Sequence, residues 1–344
     1  MAARYVPTTY TYKHVQGKAL QLDVYTVDPR PSGPQPAVLY FHGGYLITGD
    51  RKHIPRWLVQ ATLRRRWTLV SADYRVLPES TGLELVEDLG DAYTFVARTL
   101  NREIPGLVDP SRLVVAGSSG GGYCAVQGGT RFRDPVPRAL LAIYPMGDPT
   151  SRIWTTRGGR DMNVSPAEAA EIRAEIDRIL RGREVSFGQT FPPDGDLENK
   201  HPRWRLVRYI LQEGLYVDYL TAVRGLGAAI ATRGKTAIPE HVRSLFPADF
   251  TITKDFPPLI VTHGTADRSV PVQDGEALVR KCREVGVPVA YFPAEGRDHD
   301  FDLPYHSVEE DDDETDDVGK KSLQACLKEL DRLIPSEAKQ AVPA

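Results

Sequence analysis

Residues 112–126 read RLVVAGSSGGGYCAV, and Gly117-Ser118-Ser119-Gly120-Gly121 within them matches the pattern G-x-S-x-G. A serine in this pattern attacks a carbonyl when it is presented on a sharp strand-to-helix turn. Its neighbours two positions away must be tiny, and a base must take its proton. Here LVVA precedes the turn and YCAV follows it, the context the pattern requires. In this register Ser119 is the candidate nucleophile and Ser118 the variable position. The helix that starts there aims its N-terminus at the reacting carbonyl, where it favours negative charge. A glycine-rich turn that only reverses the chain, or binds phosphate, is the plain alternative. As a dinucleotide site it fails, because GSSGGG does not give G-x-G-x-x-G in register.

A serine nucleophile needs a base, and the base an orienting acid. Downstream, the apolar run PPLIVTHG ends in TADRSVP, which puts Asp267 in a loop after a strand. The next run, VAYFP, ends in AEGRDHDF, which puts His299 in the following loop. Ligand chemistry gathers at the carboxyl ends of strands in open parallel sheets. Asp267 and His299 are therefore the candidate acid and base. Asp298, Asp300 and Asp302 flank His299 but share its loop, and are expected to lie poorly for approaching its ring from behind. His306 is the second candidate base, with a surface position expected. His263 is expected to be a structural strand-end residue, and His14, His53, His201 and His241 to be surface or packing residues. The charge that develops on the carbonyl oxygen needs backbone N–H donors. One is expected from Gly120, and others from the loop His42-Gly43-Gly44-Tyr45 that follows AVLYF.

These positions require a scaffold. YTYKHV and LQLDVYTV alternate as half-buried antiparallel strands do. AVLYF, WTLVSADY, RLVVAG, RALLAIYPMG, PPLIVTHG and VAYFPAEG are short apolar strands. Helical spacing appears in ESTGLELVEDLGDAYTFVARTL, DGEALVRKCREVG and KSLQACLKELDRLI. The alternation predicts an α/β fold with a mostly parallel central sheet flanked by helices. The rhythm breaks over 148–255, which contains no convincing buried strand. Ser165-Pro166-Ala167-Glu168 reads as a capping box opening a helix. A long apolar helical segment, WRLVRYILQEGLYVDYLTAVRGLGAAIATRG, is expected to break at Gly214 or Gly225. An insertion of this length favours a helical cap, because structureless loops so long are rare. The expected layout is a core of 1–147 and 256–344, a cap over 148–255, and an acidic surface loop at 308–318.

Composition narrows the function. The 344 residues are 41% hydrophobic and 26% charged, which suits a globular protein with a large core. The net charge of −3 includes the run EEDDDETDD, so the rest of the chain is net positive. That run lacks the glycine and ligand spacing of a calcium loop. Arg64-Arg65-Arg66 is short and lacks interleaved aromatics, so it reads as the solvent-facing end of a helix, not a nucleic-acid site. Three cysteines do not make a disulfide framework. No leader and no membrane span is apparent, and a reduced, cytoplasmic setting is the default expectation. No metal motif and no cofactor site is expected.

Five stretches together resemble the hormone-sensitive-lipase-like branch of the α/β-hydrolases, from about Leu20 to Leu333. YFHGGY resembles its H-G-G-G loop, SADYRVLPES its D-Y-R-L-A-P-E stretch, and GSSGGG its G-D-S-A-G-G elbow. HGTADRSVP and GRDHDF resemble its acid and base loops. The resemblance implies an α/β-hydrolase fold with an inserted helical cap, and Ser119, Asp267 and His299 as nucleophile, acid and base. It implies oxyanion N–H groups from Gly44, Tyr45 and Gly120, with Gly43 shaping the turn. Two positions depart from the pattern: Tyr45 replaces the third glycine, and Ser118 replaces an aspartate. The expected activity is a serine hydrolase of carboxylic esters or thioesters. An acyltransferase or non-hydrolytic biosynthetic enzyme on the same scaffold is the alternative, and a non-catalytic ligand-binding protein ranks last because His299 is present. The expected substrate is a small-to-medium apolar acyl or aryl ester, held in part by aromatic groups of the cap.

Overall fold

The computed structural model describes residues 4–192, 196–309 and 315–335. Eight strands form one sheet: β1 (Arg4–Val15), β2 (Lys18–Asp28), β3 (Gln35–Phe41), β4 (Thr68–Ala72), β5 (Val108–Ser118), β6 (Ala139–Ile143), β7 (Leu259–Gly264) and β8 (Val289–Ala294). Their order is β1-β2-β4-β3-β5-β6-β7-β8. β1 and β2 are antiparallel, β2 joins β4 antiparallel, and β3 to β8 run parallel to one another.

The central parallel strands β3, β4, β6 and β7, and β5 from Leu113 onward, are buried because helices cover both faces. β3 shows the period of two: Ala37, Leu39 and Phe41 enter one core layer, and Val38 and Tyr40 the other. On the first face pack the helices Gly82–Thr94, Gly120–Arg131 and Val272–Val285, through residues such as Leu85, Leu89, Val126 and Leu278. On the second pack Arg56–Arg64 and Val318–Leu333, through Trp57, Leu58, Leu323 and Leu327. Thr81 and Glu84 make a complete capping box at the start of Gly82–Thr94.

Between β6 and β7 the described residues hold helices and no sheet strand. The long apolar segment breaks at both candidate glycines, giving Trp204–Gln212, Tyr216–Thr221 and Leu226–Arg233. Gly214 and Gly225 have φ of 65° and 74°, a region glycine enters without penalty. Only half of the expected Ser165 capping box forms. Ser165 accepts from the Glu168 N–H, but the Glu168 carboxylate turns to Arg208 instead.

Arg65 is not the solvent-facing arginine expected of its run. Its guanidinium is mostly buried, and it pairs with Glu309 at 2.8 Å and Asp331 at 2.6 Å. Asp317 caps the last helix through the N–H groups of Gly319 and Lys320. Residues 310–314 of the expected acidic loop lie outside the described residues.

Candidate active site

Ser119 sits between β5 and the helix Gly120–Arg131 with φ 56° and ψ −119°, a strained conformation for a residue with a side chain. The neighbouring glycines explain how the turn closes. A Cβ on Gly117 would lie 2.1 Å from the Gly121 carbonyl oxygen, and one on Gly121 would lie 2.0 Å from the Phe41 carbonyl oxygen. No other residue fits either place, so G-x-S-x-G is a packing requirement of this turn. Ser118 is buried and its hydroxyl bonds the Tyr40 hydroxyl at 2.7 Å.

Asp267 follows β7 and His299 follows β8, both at the strand ends where β5 delivers Ser119. His299 Nδ1 lies 2.7 Å from Asp267 Oδ2. Asp267 Oδ1 accepts the N–H groups of Ser269 and Val270 at 2.7 and 2.8 Å. Burial would raise the Asp267 pKa, but hydrogen bonds from His263 and His299 outweigh it and hold the carboxyl well below its usual range. His299 moves the other way. Burial would lower it, but Asp300 and Asp267 raise it further, and the net shift is upward. Its ring packs on Tyr144, with centroids 4.5 Å apart. No hydrogen bond joins Ser119 Oγ to His299 among the described contacts.

The loop after β3 is held by its own carbonyls. Gly44 O accepts from Ile47 and Thr48 N–H, Tyr45 O from the Tyr216 hydroxyl at 2.7 Å, and Leu46 O from Leu77 N–H. These bonds fix successive peptide planes. Gly44 has φ 106°, and a Cβ there would lie 2.4 Å from Thr48 O. Tyr45 and Leu46 both have positive φ despite their side chains. The Tyr45 ring packs between Trp154 and Trp204, with centroids at 6.2 and 5.9 Å. A Cβ on Gly43 would lie 3.3 Å from Ser119 Cβ, and one on Gly120 3.3 Å from Tyr45 N. The loop and the serine turn therefore touch.

Ser119 and His299 open onto one cavity of about 490 Å³. Gly43, Gly44 and Tyr45 line it from the loop after β3, and Phe191, Pro192, Leu197 and Trp204 from the segment between β6 and β7. Among the described residues no group of three or more metal-ligating side chains is clustered. No described helix is long and apolar enough to cross a membrane. Cys124, Cys282 and Cys326 are buried free thiols.

A family model described as the α/β hydrolase fold matches residues 38–184. The structure of an esterase from Pyrobaculum calidifontis matches with a TM-score of 0.57 at 20% identity, covering 96% of this chain and 86% of that one. The chain is an α/β-hydrolase-fold protein. A non-reducing polyketide synthase from Preussia isomera is 26% identical over 319 residues, 87% of this chain but 14% of the synthase. A probable carboxylesterase from a Phoma species is 22% identical over 317 residues, 87% of this chain and 91% of that protein. The chain thus spans only a small part of the polyketide synthases it matches, 13–14% of the first two.

Several residues around this cavity escape sequence reasoning. His263, expected to be merely structural, places Nε2 3.3 Å from Asp267 Oδ2. His53, expected at the surface or in packing, lines the cavity with its ring against Phe191 at 4.6 Å. The three aspartates beside His299 separate. Asp298 accepts from the His299 N–H and binds Arg268, and Asp302 is buried against Trp57 and Tyr144. Asp300 lines the cavity, 3.8 Å from His299 Nε2. His306 is exposed, as expected. Of the aromatic groups between β6 and β7, Phe191 and Trp204 line the cavity, whereas Trp154 and Tyr216 are buried beneath Tyr45.

Proposed function

We propose that this chain is a serine esterase acting on small, largely apolar carboxylic esters or thioesters. The observation that carries the reading is the strained Ser119 elbow, which opens onto the same cavity as His299, itself bonded to Asp267. Ser119 Oγ attacks the substrate carbonyl while His299 Nε2 takes its proton. Asp267 holds the imidazole with Nδ1–H toward it and stabilises the imidazolium that forms. The oxyanion receives N–H groups from Gly120 and from the Gly43–Tyr45 loop, whose fixed carbonyls keep those donors preorganised. His299 returns its proton to the leaving alcohol or thiol. Water then attacks the acyl-enzyme with His299 again as base, and the acid leaves Ser119.

In this reading 148–255 is a cap on a core of 1–147 and 256–344, and its Phe191 and Trp204 contact the acyl or aryl group. The likeness to a segment of polyketide synthases favours a second reading, transfer of the acyl group to a nucleophile other than water. Turnover of p-nitrophenyl esters of increasing chain length tests both. Steady release of nitrophenol and acid, absent in Ser119→Ala, supports the esterase. A single stoichiometric burst that resumes only with an added alcohol or amine supports transfer.

A further inference from the structure

We propose that Asp300 binds the water that attacks the acyl-enzyme, and so biases this site toward hydrolysis over transfer to alcohols. The inference rests on the reading of Ser119 as the acylated residue.

Asp300 has φ 56°, a left-handed conformation that puts a side chain of this loop into the cavity. Its carboxylate is half exposed, and Oδ1 lies 3.8 Å from His299 Nε2. The other acidic groups nearby are occupied. Asp50 accepts from Thr190 Oγ1 and Lys52 N–H, Asp298 from Arg268 and the His299 N–H, and Asp302 from Trp57 and Tyr144. Asp267 accepts from His299 and two backbone N–H groups. Asp300 alone among these has no hydrogen bond to its carboxylate among the described residues.

Two acceptors 3.8 Å apart suit a molecule with two hydrogens. A water oxygen about 2.8 Å from each atom fits between them with near-normal hydrogen-bond geometry. One O–H points at His299 Nε2 and the other at Asp300 Oδ1. In the reaction the water oxygen bonds to the acyl carbon and the first proton passes to Nε2. The second stays on the oxygen, held by Asp300. When the intermediate collapses, the bond from carbon to Ser119 Oγ breaks, and Oγ takes the proton from Nε2. An alcohol has one O–H, which His299 consumes, so Asp300 holds water and not an alcohol.

The test is partitioning of the acyl-enzyme between water and methanol, with p-nitrophenyl butyrate as donor, at a pH well above the acid limb of the activity. Asp300→Gly removes the carboxylate and suits a positive φ. Asp300→Asn also tolerates that conformation and keeps an acceptor oxygen. The proposal expects hydrolysis of the acyl-enzyme to fall about ten- to hundredfold in Asp300→Gly, the range for loss of a bond to a charged group. Methanolysis changes little, so the ratio of methyl ester to acid rises by the same factor, and Asp300→Asn falls between. An unchanged ratio overturns the proposal. So does an equal fall of acylation and both deacylations, which would mean that Asp300 acts only through His299. If the unsubstituted protein forms no acyl-enzyme at all, the Ser119 reading fails with it; a normal burst with an unmoved ratio defeats the Asp300 role alone.

Discussion

His263 and Asp267 are joined across four residues of the β7 exit, with Nε2 3.3 Å from Oδ2. The same nitrogen lies 3.0 Å from the Val270 carbonyl oxygen. A carbonyl only accepts, so Nε2 carries the proton and Asp267 faces a second imidazole N–H besides that of His299. We expect His263→Ala to lower kcat/KM about tenfold, the scale for one hydrogen bond to a charged group. Fluorophosphonate labelling should still occur at Ser119, only more slowly. Labelling at an unchanged rate would show that the contact does not tune the acid.

The pH profile carries a second expectation. In the proposed mechanism His299 must be neutral to take the Ser119 proton. Its environment raises its pKa above the ordinary histidine value, against burial, through Asp300, Asp267 and Asp302. The Tyr144 ring covers it, and Lys52, His53 and Arg56 line the same cavity. On that mechanism we expect full activity at alkaline pH, lost as pH falls through a value above the ordinary one. Asp300→Asn removes the leading raising charge, so the acid limb of kcat/KM should move to lower pH. A limb that stays in place would contradict the charge arrangement.

The elbow glycines predict a steric failure. Gly117→Ala and Gly121→Ala each place a methyl about 2 Å from a backbone oxygen that cannot move without opening the turn. Overpacking of this kind costs about 1–3 kcal/mol and more when backbone must shift. Both variants should show a lowered Tm and no ester turnover. Gly90→Ala, whose added methyl meets nothing within 4 Å beyond its own stretch of helix, should retain both.

Arg203 links the segment before β7 to the core. Its guanidinium holds Glu79 through two bonds of 2.6 and 2.7 Å and reaches the carbonyls of Leu77 and Ile47. Both side chains are about nine-tenths buried. Arg203→Met leaves Glu79 buried and unpaired, which costs about 3–5 kcal/mol. Adding Glu79→Gln should recover part of that loss in a denaturant titration. A loss below 1 kcal/mol for the single variant would argue that this joint opens in solution.

The first two strands were legible from their alternation and the central ones as short apolar runs bounded by turns, and the fold follows from the alternation of those runs with helices. The elbow was legible because steric closure demands small residues at fixed offsets from Ser119. What escaped depends on contacts between distant positions. Glu79 meets Arg203 across 124 residues, and nothing local marks either as a partner. His263 looked like a strand-end residue because its neighbour Asp267 turns back toward it only in the folded loop. Asp300 looked like any acid of a polar loop, since the positive φ that turns it into the cavity leaves no sign in composition. Tyr45 stood out as a missing glycine. Its tolerance comes from Tyr216, Trp154 and Trp204, all more than a hundred residues away, which hold its backbone and ring in place.

The central claim is that Ser119 is a nucleophile driven by His299 and Asp267. Intact-mass and peptide-mapping analysis after treatment with a fluorophosphonate tests it most directly. We expect one adduct per chain, on Ser119, lost in Ser119→Ala and strongly slowed in His299→Ala. A chain that stays unlabelled while folded, or an adduct on another residue, would contradict the account.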